Sequence, residues 1–216
     1  FAHDRYEPRY AENEPKSEEF ASFLAVPIGV EECKGMILVE SIRKDVFNDQ
    51  TRELLARIAT SAGLAIEKIM IIEKANTLAT HDGLTGLFNH RQFQSLLTDE
   101  LTRSTRYNDP LALVLCDIDF FKKVNDTWGH QFGDTVLKEV ARVLDSSVRQ
   151  GIDTAARYGG EEFALILVKT GEEQAIETAE RIRTTVSRIP LRSPSGIEVH
   201  VSMSFGIAVY GKHARE

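Results

Sequence analysis

The sequence predicts an α+β fold: a ferredoxin-like βαββαβ sheet domain over residues 81–216, reached through a connecting helix over 51–80 from a partial α/β module over 1–50. Three observations predict it. The apolar run Leu111-Ala112-Leu113-Val114-Leu115-Cys116 ends in Asp117-Ile118-Asp119, as expected of a strand buried on both faces that presents acids at its carboxyl end. The stretch Arg157–Phe163 places Gly159-Gly160-Glu161-Glu162 between β-prone residues, which reads as a hairpin turn with acid at its tip. Leu55, Ile58, Ala62, Ala65, Ile69, Ile72, Asn76 and Ala79 are spaced 3, 4, 3, 4, 3, 4, 3, a heptad seam on one long helix.

Composition bounds the function. At 42% hydrophobic and 27% charged, the 216 residues suit a globular chain of one large or two modest domains. A formal charge of −7 argues against a nucleic-acid surface, although an acidic enzyme can bind a nucleotide where metal ions offset the repulsion. Cys33 and Cys116 sit singly in apolar segments without metal-site spacing and read as reduced core residues. No signal peptide is visible and no apolar run approaches the ~18 residues of a membrane span, so the context reads as cytoplasmic, without direct membrane insertion. The chain opens on Phe1 rather than Met and reads as a piece of something longer.

In order, residues 1–19 are polar, with a proline-interrupted charged loop from Glu12 to Glu19. Phe23–Ile28 and Gly35–Glu40 read as strands, and Asn48-Asp49 supplies capping oxygens for a helix from about Gln50. Two strands and a helix end cannot bury a core of their own. Asn76 on the seam is a device that fixes register in parallel dimers, so the helix reads as a dimeric stalk, weakened by its alanines. His81–Asn89 is a turn-rich hinge. Helices follow, one with Phe93, Leu96, Leu97 and Leu101 on a face, one with Val136, Val140, Val143 and Leu144, and one with Ala175, Ile176, Ala179, Ile182 and Val186. Ile197–Val209 alternates like a last strand. In the resulting split βαβ order the first strand and the hairpin lie side by side, so Asp117 approaches Glu161, 44 positions later.

Two resemblances follow. Ala25-Val26-Pro27-Ile28, Gly35-Met36-Ile37-Leu38, Phe47 and Leu54-Leu55-Ala56-Arg57-Ile58-Ala59 resemble the C-terminal half of a GAF domain, implying a partial sensor for an unknown small molecule or signal, whose front half is not represented. Asp82-Gly83-Leu84-Thr85-Gly86-Leu87-Phe88-Asn89, Asp117–Asp126, Gly129-His130, Gly133-Asp134 and Arg157–Phe163 resemble, in order and over about 130 residues, the GGDEF-type diguanylate cyclases, whose signature is here GGEEF. The second resemblance implies a nucleotidyl-cyclase-type domain that condenses two GTP into cyclic di-GMP and two pyrophosphates, each 3′-hydroxyl attacking the other's α-phosphate in a homodimer.

That resemblance implies Asp117, the Ile118 carbonyl and Glu161 as ligands of Mg²⁺, with Mn²⁺ a substitute, since hard oxygens suit it. It makes Glu161 also the base for the 3′-hydroxyl, Lys122 the stabiliser of phosphate charge, and Glu162 a supporting acid. Backbone N–H groups at Phe120 and Phe121 would cradle phosphates, with both rings in the core. Asn125 and Asp134 would read guanine, whose N1–H and N2–H₂ suit a carboxylate that adenine would leave unpaired. His130 reads as making a structural hydrogen bond, Asp119 and Asp126 as caps or turn acids, Tyr158 and Phe163 as core, and Lys123 as a solvated charge.

Departures from the family qualify this. Its Arg-x-x-Asp inhibitory site has Asp153 in place but Gln150 where the Arg belongs, with Arg149 one position early, so product inhibition is expected to be weak even with Arg181 matching a secondary contributor. His90 stands where an Arg is usual. The family's final helix, with a Lys and an Arg for the GTP phosphates, has no match before Glu216, implying weaker GTP binding or turnover. The alternatives are a non-catalytic module binding GTP or cyclic di-GMP, and a cyclase making a mixed dinucleotide.

Overall fold

The computed structural model describes residues 21–29 and 33–211; the expected Glu12–Glu19 loop lies outside the described residues. The chain divides into two compact units, residues 1–75 and 76–216.

In the first unit β1 (Ser22–Ile28) and β2 (Gly35–Ser41) form an antiparallel hairpin, with Ser22 opposite Ser41 and Ile28 opposite Gly35. Period-two alternation puts Leu24, Val26 and Ile28 on the half-buried side and Phe23, Ala25 and Pro27 on the exposed one. Helix α1 (Asp49–Thr80) starts where Asn48 Oδ1 accepts hydrogen bonds from the N–H and hydroxyl of Thr51. It buries Ala59 and Gly63, and a Cβ on Gly63 would lie 3.0 Å from the Gly29 nitrogen, so a larger residue would press on the β1 end. From Leu64 to Ala79 every residue of α1 is exposed, including the seam positions Ala65, Ile69, Ile72, Asn76 and Ala79. Cys33 corrects an expectation: it is exposed, its Sγ donating to the Gly35 carbonyl, because it lies at the hairpin end where, among the described residues, no layer covers it.

The second unit is built on a four-stranded antiparallel sheet of order β4-β5-β3-β8: β3 (Leu111–Ile118), β4 (Thr154–Arg157), β5 (Glu162–Val168) and β8 (Met203–Tyr210). The helices are α2 (His90–Tyr107), α3 (Phe121–Trp128), α4 (His130–Ser147) and α5 (Glu172–Val186). On one sheet face Ala112, Val114, Cys116 and Ile118 of β3, with Phe163, Leu165 and Leu167 of β5, pack among Val136, Val140 and Leu144 of α4 and Ile182 and Val186 of α5. On the other, Leu111, Ala164 and Ile166 pack against Phe93 of α2. Each fully buried Val, Leu, Ile or Phe here contributes about 1.5–3 kcal/mol. The expected burial of β3 on both faces holds on the first face but only in part on the second, where Leu111 is buried, Leu113 is half-buried and Leu115 is 44% exposed because, among the described residues, no helix covers that end.

The expected strand over Ile197–Val209 is broken. Leu191–Arg192 (β6) and Glu198–Val199 (β7) form a separate two-stranded ribbon, and sheet pairing resumes only at Met203. The chain changes pairing partner at residues 200–202, a switch that unbroken alternation of apolar and polar residues conceals.

Candidate functional site

The acids meet because of register. Asp117, next to last in β3, lies opposite Glu162 of β5 on one side and Ser204 of β8 on the other. The Ile118 N–H donates to the Glu161 carbonyl at 3.3 Å, tying the end of β3 to the tip of the hairpin. The turn occupies residues 158–161, closed by the Tyr158 and Gly159 N–H groups donating to the Glu162 carbonyl, so Glu162 begins β5 rather than ending the turn. Neither Gly159 nor Gly160 has a positive φ. A Cβ on Gly159 would lie 2.5 Å from Glu162 Oε2, so the Glu162 side chain would have to move, and a Cβ on Gly160 would meet nothing within 4 Å, so the tip of the turn is open.

Burial, and then the charges of Glu161, Glu162 and Asp119, push the Asp117 carboxyl above the ordinary carboxylate range. Like charges gathered without a cation are the donor set that a hard divalent ion would neutralise, and the fit is with oxygen ligands. Among the described residues no three acid, imidazole or thiol side chains enclose an ion by themselves. Asp117, Glu161 and the Ile118 carbonyl would therefore need phosphate oxygens or water to complete a coordination shell.

The turn from β3 into α3 departs from expectation at Phe120. Its ring is 84% exposed rather than core, because the backbone is left-handed there (φ 55°) and swings the side chain outward, while Phe121 is buried. Phe120 caps α3 without a side-chain hydrogen bond. Lys122 is exposed in the first turn of α3. Asn125 lies against Gly133 so closely that a Cβ on Gly133 would overlap its Oδ1, and Asp134 is the next residue, exposed on α4. The two helices are joined by Gly129, at φ 83°. His130 is exposed on the first turn of α4 and, among the described residues, its ring makes no hydrogen bond, contrary to the structural bond expected of it. Asp126 is an exposed residue within α3 rather than a cap; Asp119 is the turn acid expected, held by β8. Phe163 is buried as expected, and Tyr158 is half-buried, edge-on to Phe93 with ring centroids 5.6 Å apart.

Away from the acids, Arg149 forks onto Asp153, Nε to Oδ2 at 2.7 Å and Nη2 to Oδ1 at 2.6 Å, and the Val168 N–H donates to the same carboxylate at 3.0 Å. Burial alone would raise the Asp153 carboxyl, but the hydrogen bonds from Arg149 and Val168 outweigh it and hold the group below the usual range. Arg181 donates to the Ser147 carbonyl at 2.8 Å. Burial, helped by the Asp117 charge, pushes the Cys116 thiol up to about 12, an inert core group.

Sequence reasoning passed over Arg157 as a working residue. Its guanidinium donates to both oxygens of Asp82 and to the carbonyls of Gly159 and Gly160, joining the hinge before α2 to the acidic turn. The available signal was an unassigned Arg directly ahead of paired glycines.

Fold and site together define an α+β domain of the antiparallel βαββαβ class with an acidic edge beside a helix pair. Residues 79–216 match the family model described as "Diguanylate cyclase, GGDEF domain", and the chain belongs to that family. It is 47% identical over 132 residues to the response regulator PleD of Caulobacter vibrioides, covering 61% of this chain and 29% of that protein. It is 38% identical over 167 residues to diguanylate cyclase A of Treponema denticola, covering 76% and 43%. The chain thus spans less than half the length of these curated relatives. The solved structure of the coiled coil and GGDEF domain of DgcB from Caulobacter crescentus in complex with c-di-GMP superposes with a TM-score of 0.66 at 35% identity, covering 73% of this chain and 83% of that one.

Proposed function

We propose that this chain is the catalytic part of a diguanylate cyclase that condenses two GTP into cyclic di-GMP with release of two pyrophosphates. The observation that carries the reading is the register pairing Asp117 with Glu162, which sets Asp117, Glu161 and the Ile118 carbonyl at one edge. A divalent cation there, Mg²⁺ or Mn²⁺, would neutralise the triphosphate and lower the pKa of the attacking hydroxyl. Glu161 accepts the 3′-hydroxyl proton, Lys122 offsets charge on the phosphates, and backbone N–H groups from Phe120 and Phe121 orient them. Glu162 adds negative charge beside Asp117 as a supporting acid. Asn125 and Asp134, one on each member of the α3–α4 pair, hydrogen-bond guanine and leave adenine without matching donors.

One subunit holds one GTP, so the reaction takes a homodimer with two sites face to face. The exposed heptad seam of α1 supports a parallel stalk that sets this encounter, and the hairpin before it supports a partial GAF-like sensor that regulates the dimer. The domain limits we assign are 1–50, 51–80 and 81–216, and GTP as substrate supports action in the cytoplasm. No helix among the described residues is long and apolar enough to cross a membrane. Incubating the protein with Mg²⁺ and GTP, ATP or both, and identifying products by mass, tests the reading. Cyclic di-GMP from GTP alone is expected; bound GTP without a cyclic product, or a mixed dinucleotide, contradicts it.

A further inference from the structure

Asp119 has no part in the chemistry above, yet both its carboxylate oxygens are engaged. Ser202 Oγ donates to Oδ2 at 2.5 Å and Ser204 Oγ to Oδ1 at 2.6 Å. The Asp119 N–H donates in turn to the Ser202 carbonyl at 2.9 Å. Three bonds therefore fasten the turn between β3 and α3 to the start of β8, 83 and 85 positions away.

The turn is one that needs fastening. Phe120 follows at once in the left-handed region (φ 55°, ψ 28°), where a bulky residue is strained, its ring lies in solvent, and no side chain caps α3. Within the turn the Lys123 N–H donates to the Phe120 carbonyl at 2.9 Å, and Asp119 is the anchor that ties the turn to the start of β8.

The bonding also separates two neighbouring acids. Ser204 lies opposite Asp117 in the β3–β8 register, so its single hydroxyl proton could go to either carboxylate; it goes to Asp119. Ser202 does the same. Among the described residues the Asp117 carboxylate accepts no hydrogen bond, which leaves its lone pairs free for a ligand, while Asp119 has its own satisfied.

We propose that Ser202 and Ser204, acting through Asp119, are positioning residues that hold the Asp117–Phe121 turn in the shape that receives a nucleoside triphosphate with its divalent cation, and that reserve Asp117 as the unbonded acid. This rests on the reading of the site as a GTP site. Guanine is met elsewhere, by Asn125 and Asp134, so the tie acts on the triphosphate end alone.

That separation supplies the test. In the full chain, binding of 3′-deoxy-GTP with Mg²⁺, which lacks the attacking hydroxyl and cannot turn over, is measured by calorimetry, and binding of guanosine by ligand-observed NMR. The proteins are the wild type, the S202A/S204A double variant, Asp119→Asn and Ser204→Thr. Loss of such outer-shell partners costs roughly 10–100-fold elsewhere, so Kd for 3′-deoxy-GTP is expected to rise by about that factor in the double variant and in Asp119→Asn. Guanosine affinity stays within about twofold, as for an independent site. Ser204→Thr, which keeps the hydroxyl on a β-compatible side chain, keeps triphosphate binding within about twofold of the wild type. An unchanged Kd for 3′-deoxy-GTP, or parallel weakening of both ligands, overturns the proposal while leaving the GTP site standing. A wild-type protein that binds neither ligand overturns both.

Discussion

The guanidinium of Arg157 reaches back 75 positions to hold both oxygens of Asp82, at 3.1 and 3.2 Å, while it also donates to the carbonyls of Gly159 and Gly160. The pair is mostly buried, with side-chain exposures of 16% and 24%, so it is more than a solvated surface contact. One residue therefore secures the hinge and the backbone of the acidic turn together.

Removing either partner should destabilise the second unit. Arg157→Ala and Asp82→Ala are each expected to cost about 2 kcal/mol in urea unfolding, and the double variant little more than either alone. Additive losses would show that the two side chains act separately. Burial alone would raise the Asp82 carboxyl, but the hydroxyl and N–H of Thr85 and the Arg157 guanidinium hold it below its ordinary 3.8. A depressed folded pKa gives stability that is complete above 3.8 and lost as pH falls through the lower folded value. Asp82→Asn should therefore remove part of the acid-induced loss of stability below that pH.

Asn125 and Asp134, the pair proposed to read guanine, make a steric prediction. Because a Cβ on Gly133 would overlap Asn125 Oδ1, Gly133→Ala must displace Asn125, at a packing cost of about 1–3 kcal/mol. The KM for GTP should rise by at least about tenfold, as it should for Asp134→Ala, which removes an acceptor worth a factor of that order. A Gly133→Ala enzyme with unchanged KM would show that Asn125 does not touch the base.

Asp153 is already forked by Arg149 and bonded by the Val168 N–H, and Arg181 is spent on a backbone carbonyl, so few groups remain to grip a product. Titration with cyclic di-GMP should show weak inhibition. Tight capture that Asp153→Ala abolishes would contradict this. The same fork stabilises the chain, and Arg149→Ala should cost about 1.5–3 kcal/mol as the half-buried Asp153 loses its cation.

Much of this was legible in residue patterns, and the misses have physical causes. The β3 run announced the strand, buried fully on one face and in part on the other, and acids at its end needed only sheet pairing to meet the hairpin. The signature motif located the turn and the acids at its tip. Phe120 misled because apolar residues usually face inward, and a left-handed φ beside the site was not visible in composition. The break at residues 200–202 was hidden by alternation that continues while the pairing partner changes. Arg157 with Asp82, and Asp119 with Ser202 and Ser204, join residues far apart in the chain, and no local spacing encodes them.

The edge formed by Asp117 and Glu161, proposed above as the catalytic site, is where the most direct measurement falls. Asp117 is penalised for its charge in the fold, so Asp117→Asn relieves like-charge repulsion while removing the carboxylate proposed to hold the cation. Cyclic di-GMP formation is followed by mass at saturating GTP and Mg²⁺ for the wild type, Asp117→Asn and Glu161→Gln, alongside thermal unfolding without metal. The account predicts cyclic di-GMP from the wild type, loss beyond the roughly 100-fold typical of outer-shell changes in both variants, and an unfolding midpoint for Asp117→Asn equal to or above the wild type's. Wild-type rates in either variant would contradict it.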